Sequence, residues 1–486
     1  MASGNDKYDI AVIGSGPGGY VAALRAAQLG LRTAIIEQLH IGGTCLNRGC
    51  IPSKALLHSV HVLDTCERAS RFGVDVNGFS LNLENLHRHR DRCVKQLVSG
   101  VEILLEWAGV DVLWGHGSFV SDHEIAVKGD DTDAVIEADT IIIATGSLPS
   151  LPPIEGIGSA GVWTSDDALA VRQVPESMAI IGSGATGMEM ACVYTHLGTK
   201  VTILEMFDHA LPREDRDAAE VVARTFQRRG GRIEVNARVV RIQHAGTGKR
   251  VIFERDGEEQ AVEAEVVLSA AGRRANLEGL GAEEIGLEVA GQGICVREGV
   301  DTPAASGPPQ AMCPGTRLRT SLDHIYAIGD CIRGIGLAHL AMHEGVAAVE
   351  DSQGLPATID YHAVPTAMYC HPEIASVGMM EYQAQERGVD YIVGRFPFAA
   401  NGRSVAIGSR EGFAKIVADR SSHQVLGATI VGRLTTELIS EVTLAVRLGA
   451  TVDDLIHTIH AHPTFSEVVH EAALGALGIP LHIPAD

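Results

Sequence analysis

Two cysteines five positions apart stand inside the stretch Gly42-Gly43-Thr44-Cys45-Leu46-Asn47-Arg48-Gly49-Cys50-Ile51-Pro52-Ser53-Lys54. In an unbroken helix, residues five apart are separated by about 7.5 Å along the axis, beyond the roughly 7 Å Cα limit for a disulfide. Bridging Cys45 and Cys50 therefore requires a distorted turn, which Gly49 permits. A bridge in such geometry is easier to reduce than a relaxed structural one, which suits a thiol pair that carries electrons. Two other readings compete. A zinc site needs two further Cys or His ligands at short spacing, and none is nearby; two idle thiols leave the glycine framing unexplained. The other seven cysteines, Cys66, Cys93, Cys192, Cys295, Cys313, Cys331 and Cys370, are scattered singly. In a reducing compartment such residues are mostly inert and apolar.

A second kind of chemistry is written in glycines. The apolar run Tyr8 to Ile13 leads into Gly14-Ser15-Gly16-Pro17-Gly18-Gly19, an alanine-rich helical stretch to Leu29, a second strand from Thr33 to Ile36, and Glu37. This is a β-α-β unit whose glycines let a pyrophosphate approach a helix N-terminus and whose acidic residue meets a ribose hydroxyl. The pattern returns as Met178 to Ile181, Gly182-Ser183-Gly184-Ala185-Thr186-Gly187, a helix from Met188, Val201 to Leu204, and Glu205. In each copy the acidic residue lies 23 positions after the first glycine, and the copies are 168 residues apart. One glycine-rich turn is a weak signal; a duplicated turn with strand, helix and spaced Glu is strong.

The elements that position these groups need more than one core. At 486 residues, and roughly 100 to 200 residues per domain, the chain predicts three or four domains. Hydrophobic content of 45% and charged content of 21% are those of an ordinary globular chain. A formal net charge of -22 argues against a nucleic-acid partner, which would need a basic face. No secretory signal or membrane anchor is visible, and no apolar run reaches the roughly 18 residues of a membrane span, so a cytoplasmic protein is expected, or one in an organelle lumen after loss of a targeting segment. Leu148 to Pro153 breaks regular structure and marks a first junction, with a second near Asn276. Glu298 to Leu318 reads as an exposed loop. From Pro356 onward, strand-like segments at Phe413 to Val417 and Val425 to Val431, then a helix from Thr436 to Leu448, predict a separate C-terminal domain.

The stretch Gly42 to Lys54 resembles the active-site signature of the pyridine nucleotide-disulfide oxidoreductases, in their dihydrolipoamide dehydrogenase branch, and the resemblance covers nearly the whole chain. It implies an α/β fold with two Rossmann-like nucleotide-binding domains, for FAD and NAD, and a C-terminal α+β dimerisation domain. The expected boundaries are 1–153 for the FAD-binding domain with its redox cysteine pair, 154–277 for the NAD-binding domain, 278–355 for a central domain completing the FAD site, and 356–486 for the dimerisation domain. By the same resemblance Cys45 is the interchange thiol that attacks the substrate disulfide, Cys50 faces the flavin as the charge-transfer thiolate, and Lys54 lies beside the isoalloxazine, paired with Glu189.

Thiols give up electron pairs as nucleophiles and nicotinamide accepts hydride, so a flavin is the carrier expected between them. The first fold immediately precedes the cysteines and is assigned to FAD, with Gly14, Gly16 and Gly19 at the pyrophosphate and Glu37 on the adenosine ribose. Thr140 to Ser147, with Thr145, Gly146 and Ser147 at its end, and Ile325 to Asp330 resemble further flavin contacts, Asp330 on the ribityl chain and Ala338 and His339 near the ring. The second fold is expected to hold NAD, with Gly182, Gly184 and Gly187 at the pyrophosphate and Gly272 toward the nicotinamide. Glu205 accepts from a free 2′-hydroxyl and repels a 2′-phosphate, and Met206, Phe207 and Asp208 offer that phosphate no arginine, so NADP is disfavoured. Gly117 and Val239 complete the cofactor-binding set the resemblance implies. No metal is expected.

A dithiol with pKa near 8.5 needs a base to be oxidised near neutral pH. Among 21 histidines, the segment His460-Ala461-His462-Pro463-Thr464-Phe465-Ser466-Glu467 resembles the family's C-terminal motif, which nominates His462 as base and Glu467 as its orienting partner. A capping box at Thr464 and Glu467 is the plainer reading of the same residues. The family places this segment in the partner subunit's active site, so a homodimer is expected, with a lipoyl-carrying protein of a 2-oxoacid dehydrogenase complex, the glycine-cleavage carrier or a sulfur-oxidation lipoyl protein as substrate. A mercuric or glutathione reductase-like enzyme and a non-catalytic redox-sensing flavoprotein scaffold are the alternatives. Against a mercuric reductase stands the lack of any cysteine after Cys370, against a glutathione reductase the NAD preference read from Glu205, and against the scaffold the joint presence of both thiols, the base motif and Glu205.

Overall fold

The computed structural model describes residues 6–291, 293–297, 318–332, 334 and 336–484. The loop expected from Glu298 to Leu318 falls outside these residues except for Leu318. The chain divides into two compact units, 1–56 with 80–150 and 272–359, and 57–79 with 151–271 and 360–486. This differs from four separate domains. The described residues of 278–355 belong with the first unit: Leu280, Leu287 and Ile294 share its core, and strand Ile325–Ala327 pairs beside Asp133–Ile143.

In the first unit the parallel strands run in the order Asp111–Trp114, Thr33–Glu37, Asp6–Ile13, Asp133–Ile143. Strand Asp133–Ile143 is long enough to serve two ladders: its second half pairs in parallel with Asp6–Ile13, while Asp133 to Glu137 pair antiparallel with Glu124–Lys128. Ile10, Ala11, Val12 and Ile35 are fully buried. A run without hydrophobic alternation is what a central parallel strand covered on both faces requires. Helix Pro17–Gln28 puts Ala22, Ala23 and Ala26 against one of those faces.

The second unit has a parallel sheet in the order Arg232–Glu234, Lys200–Leu204, Ser177–Ile181, Val266–Ser269, Val162–Trp163. Its C-terminal part is an antiparallel sheet, Thr366–Met368, Glu373–Gly378, Val425–Gly432, Phe413–Asp419, Tyr391–Pro397. Helices Thr435–Leu448 and Glu467–Ala476 share a core with that sheet through Ile439, Val442, Val468 and Ala472. Among the described residues no helix is long and apolar enough to cross a membrane.

Two expectations are corrected. The break at Leu148 to Pro153 starts with structure: Ser147–Pro149 forms a short antiparallel ribbon with Arg273–Ala275. Pro149 is tolerated because it ends an edge strand, where no donor is demanded of it. Cys295, read as an inert single cysteine, is disulfide-bonded; Cys313 lies outside the described residues. Cys192, Cys331 and Cys370 are buried free thiols, and burial pushes Cys192 and Cys331 up to about 12.

Candidate active site

The two glycine turns repeat each other in detail. Gly14 and Gly182 have φ of +103° and +96°, left-handed values that favour glycine. A Cβ on Gly19 would lie 1.9 Å from the Gly14 carbonyl oxygen, and one on Gly187 would lie 2.0 Å from that of Gly182, so the third glycine of each copy lets the helix start close to the turn. Gly16 and Gly184 face open space, with nothing within 4 Å of an added Cβ. Each is the N-cap of its helix, and neither helix, Pro17–Gln28 or Ala185–His196, has a side-chain cap. The first N–H groups of both helices are thus presented to open space, a cradle that fits a pyrophosphate.

Both acidic residues are buried and held in the same way. Glu37 Oε2 accepts from the N–H of Ser15 at 3.0 Å and from its hydroxyl at 2.5 Å. Glu205 Oε2 accepts from the N–H of Ser183 at 2.8 Å and from its hydroxyl at 2.6 Å. The second oxygen of Glu37 also accepts from the N–H groups of Leu39 and His40; that of Glu205 accepts from Phe207 alone.

Directly after Glu37 the chain builds the thiol pair. Helix Gly43–Arg48 carries Cys45, the chain breaks at Gly49 with φ −145° and ψ −113°, and helix Cys50–Arg68 begins at the second cysteine. A Cβ at Gly49 would come within 2.8 Å of the Thr44 carbonyl, so only glycine makes this break without a shift of backbone. Cys45 and Cys50 are free thiols joined by a hydrogen bond. That bond, then burial and the charge of Cys50, pushes the Cys45 thiol well up, while Lys54 one turn into the second helix pulls it down. The pair sits against the first glycine turn: Gly42 N–H donates to the Ser15 carbonyl at 3.0 Å, and a Cβ on Gly43 would be 2.7 Å from Gly16 Cα.

Around the same sheet end, strand Asp133–Ile143 leads to Thr145, Gly146 and Ser147, and strand Ile325–Ala327 leads to Asp330 in the turn Gly329–Cys331. Ser147 donates to Asp330 Oδ2 at 2.5 Å. The Thr145 carbonyl accepts from the Asn276 side chain at 3.4 Å, and that of Gly146 from its N–H at 2.8 Å. Gly329 N–H donates to the buried carboxylate of Glu344 at 2.7 Å. Ala338 and His339 open helix Ala338–Ser352, which has no side-chain cap. Arg273, absent from the sequence expectations, reaches this cluster through Ser147; its neighbour Gly272, with φ +103°, was the only signal near it.

Glu189 in the second unit is buried, and its Oε1 accepts from Tyr369 N–H at 3.0 Å. Lys54 belongs to the first unit. Gly117 is buried in strand His116–Phe119, where an added Cβ would meet Ile13 and Ile36 at 3.2 Å, and Val239 is a core residue of the second unit.

At the C-terminal end His462 Nδ1 donates to Glu467 Oε1 at 2.8 Å, which leaves Nε2 as the open lone pair of a base. Glu467 Oε2 accepts from Thr464 N–H at 2.8 Å. The capping box is only half made. Helix Glu467–Ala476 begins at Glu467 itself, and the Thr464 hydroxyl donates to the Ala461 carbonyl instead. Burial acts to raise the Glu467 carboxyl, but the His462 and Thr464 hydrogen bonds prevail and hold it below its ordinary range. The His462 side chain is 78% exposed. The neighbouring His460 has both ring nitrogens engaged, with the Thr458 carbonyl and Glu441.

Among the described residues Asp122, His123 and His324 bring ligand atoms within 4.8 Å of one another. The two rings are stacked at 4.0 Å and 10°, and each has a nitrogen bonded to a backbone carbonyl, so their in-plane lone pairs do not converge on one ion.

A thiol pair beside one dinucleotide turn, with a second turn in the same chain, defines an oxidoreductase working between thiols and a dinucleotide. A family model described as pyridine nucleotide-disulphide oxidoreductase matches residues 8–345, and that for the family's dimerisation domain matches residues 364–473. A dihydrolipoyl dehydrogenase of Bacillus subtilis is 38% identical over 479 residues, covering 98% of each chain. Leghemoglobin reductase of Glycine max is 39% identical over 489 residues, 99% of this chain and 90% of that one. Among solved structures, LpdA from Mycobacterium tuberculosis matches with a TM-score of 0.85 at 29% identity, covering 97% of this chain and 99% of that one. The chain belongs to the pyridine nucleotide-disulphide oxidoreductase family.

Proposed function

We propose that the chain is a dihydrolipoyl dehydrogenase that oxidises protein-bound dihydrolipoamide and reduces NAD. The observation that carries this reading is the hydrogen-bonded Cys45 and Cys50 pair, seated on the first glycine turn at a break only glycine allows. FAD fits the first turn and NAD the second, where Gly16 and Gly184 leave open cradles and Glu37 and Glu205 are fixed beside them. Bound FAD supplies the exchange between thiolate electron pairs and hydride.

The protein groups do the rest. His462 Nε2 takes the proton of a substrate thiol, and the resulting thiolate attacks Cys45 Sγ of the oxidised pair. The Cys45 to Cys50 bond breaks, and Cys50 leaves as the thiolate. The second substrate thiol then attacks the substrate sulfur of the mixed disulfide and yields its proton to Cys45 as that sulfur departs; His462 keeps the first proton beside the Cys50 thiolate, and cyclic lipoamide is released. Two electrons have passed from the substrate dithiol to the enzyme's pair.

In this reading His462 and Glu467 of the partner subunit serve each Cys45, in a homodimer. Supporting this are the match to a dimerisation domain, the exposure of His462, and the apolar side chains Ile459 (97% exposed), Leu444 and Leu448 on the same unit. A lipoyl-carrying protein is the substrate, and a cytoplasmic setting accords with reduced thiols.

The test is an anaerobic visible spectrum before and after dihydrolipoamide and then NAD. Long-wavelength charge-transfer absorbance that appears with dihydrolipoamide and is discharged by NAD but not NADP is expected. Bound flavin indifferent to dihydrolipoamide would overturn the assignment.

A further inference from the structure

Asp330 does not stand alone. Its Oδ2 accepts the Ser147 hydroxyl at 2.5 Å, and that hydroxyl accepts from Arg273 Nε at 2.7 Å. Arg273 Nη2 donates to the Ser147 carbonyl at 2.7 Å, so the guanidinium grips one residue at two points, and its Nε is 3.9 Å from Asp330 Oδ2. A serine hydroxyl rotates freely until a donor occupies its oxygen. With Arg273 on one lone pair, its own hydrogen turns to Asp330. Oδ2 is then engaged, and Oδ1 is left to face the side of Gly336, where an added Cβ would be 3.6 Å away.

The ribbon that carries Arg273 does not need this side chain to hold together. Backbone hydrogen bonds already join Ser150 N–H to the Gly272 carbonyl and Asn276 N–H to that of Gly146, each within 2.9 Å. A planar fork that also contacts the base of the aspartate relay is more than a ribbon requires.

We infer that Arg273 is the positioning residue for Asp330: acting through Ser147, it orients the carboxylate toward FAD and sets how tightly FAD is held and how readily it is reduced. The inference rests on the FAD assignment above. A cation behind the aspartate favours the electron-rich flavin.

The experiment uses full-length apoprotein titrated with FAD, read by flavin fluorescence, and the midpoint potential of the reconstituted protein. Arg273→Gln is expected to raise the FAD dissociation constant about tenfold, the size of one lost hydrogen bond to a charged group. It should also lower the reduction equilibrium constant about tenfold, roughly 30 mV for a two-electron couple. Arg273→Lys should recover only part of either, and Ser147→Ala should match Arg273→Gln without adding to it in the double variant. A folded Arg273→Gln protein with affinity and potential within about twofold of the parent overturns the inference, as does a loss confined to the melting temperature of the apoprotein. Should Arg273→Gln not fold, Ser147→Ala decides by the same two readouts. If the parent chain itself takes up no FAD, the cofactor reading fails, and this inference with it.

Discussion

At the first glycine turn the acidic residue accepts four hydrogen bonds, and at the second it accepts three. The frames are otherwise alike, down to the serine that clamps each carboxylate. What separates them lies outside the frames. The first turn is abutted by the cysteine helix, through Gly42 and Gly43. The second is tied to the C-terminal sheet of its own unit through buried Lys415, which donates to Asp215 and Asp217 at the start of helix Arg216–Arg228 and to Glu381. One duplicated device thus occurs once against a thiol pair, through Gly42 and Gly43, and once followed by a helix held to the C-terminal sheet.

The largest expected effect breaks the comparison at the thiol end. Cys50→Ser should lower dihydrolipoamide oxidation by about 10⁴-fold or more, as losing a group that acts as part of a unit does. Reduction of an artificial dye by NADH should survive, because the second turn and the flavin are untouched; stopped-flow with each donor separates the two. His462→Gln should cost about 10² to 10⁴-fold in dihydrolipoamide turnover, the range of a general base, and likewise spare the dye reaction.

Lys415→Met probes the tie that only the second turn has. Removing one side of a buried ion pair costs about 3–5 kcal/mol, here because Asp215 is left buried without its cation. Chemical denaturation should show that loss, while the flavin spectrum of the folded protein stays unchanged. At the two acidic residues, Glu37→Ala should yield protein purified largely without flavin. Glu205→Ala should keep the flavin and raise the KM for NAD about tenfold, near the cost of one lost hydrogen bond to a charged group. Equal behaviour of the two variants would show that the turns are functionally alike.

The smallest effect is one of pH. The Lys415 hydrogen bond and charge hold the Asp217 carboxyl below its ordinary value against a contribution from burial. Because the folded value is the lower one, the stabilisation is complete above about pH 4 and fades as acid passes through the depressed value. Melting curves across that window should lose this acid sensitivity in Asp217→Asn, whereas Glu37→Gln should leave it in place.

Much of the site was legible because its signals are local. Gly14, Gly16 and Gly19 act on each other across a single turn, and Gly49 permits the break beside the cysteines it separates. His462 and Glu467 meet within five residues, although the same pair also fitted a helix cap. Arg273 was not legible. It meets Ser147 across 126 positions, and an arginine after a glycine turn looks like any exposed charge. Lys415 was hidden for a similar reason: a lysine in the strand Phe413–Asp419 reads as a solvent-facing position, and its carboxylates lie 34, 198 and 200 residues away.

The sequence by itself determined the duplicated nucleotide frames and the glycine-framed cysteine pair, because each is set by backbone freedom and spacing within a few residues; His462 was nominated only through a family resemblance. Only the tertiary structure decided that 278–355 completes the first unit, that Ser147 and Asp330 share a hydrogen bond backed by Arg273, and that the second frame is anchored through Lys415. Those pairings depend on which distant segments end beside one another once the apolar strands are buried, and no local pattern encodes that choice.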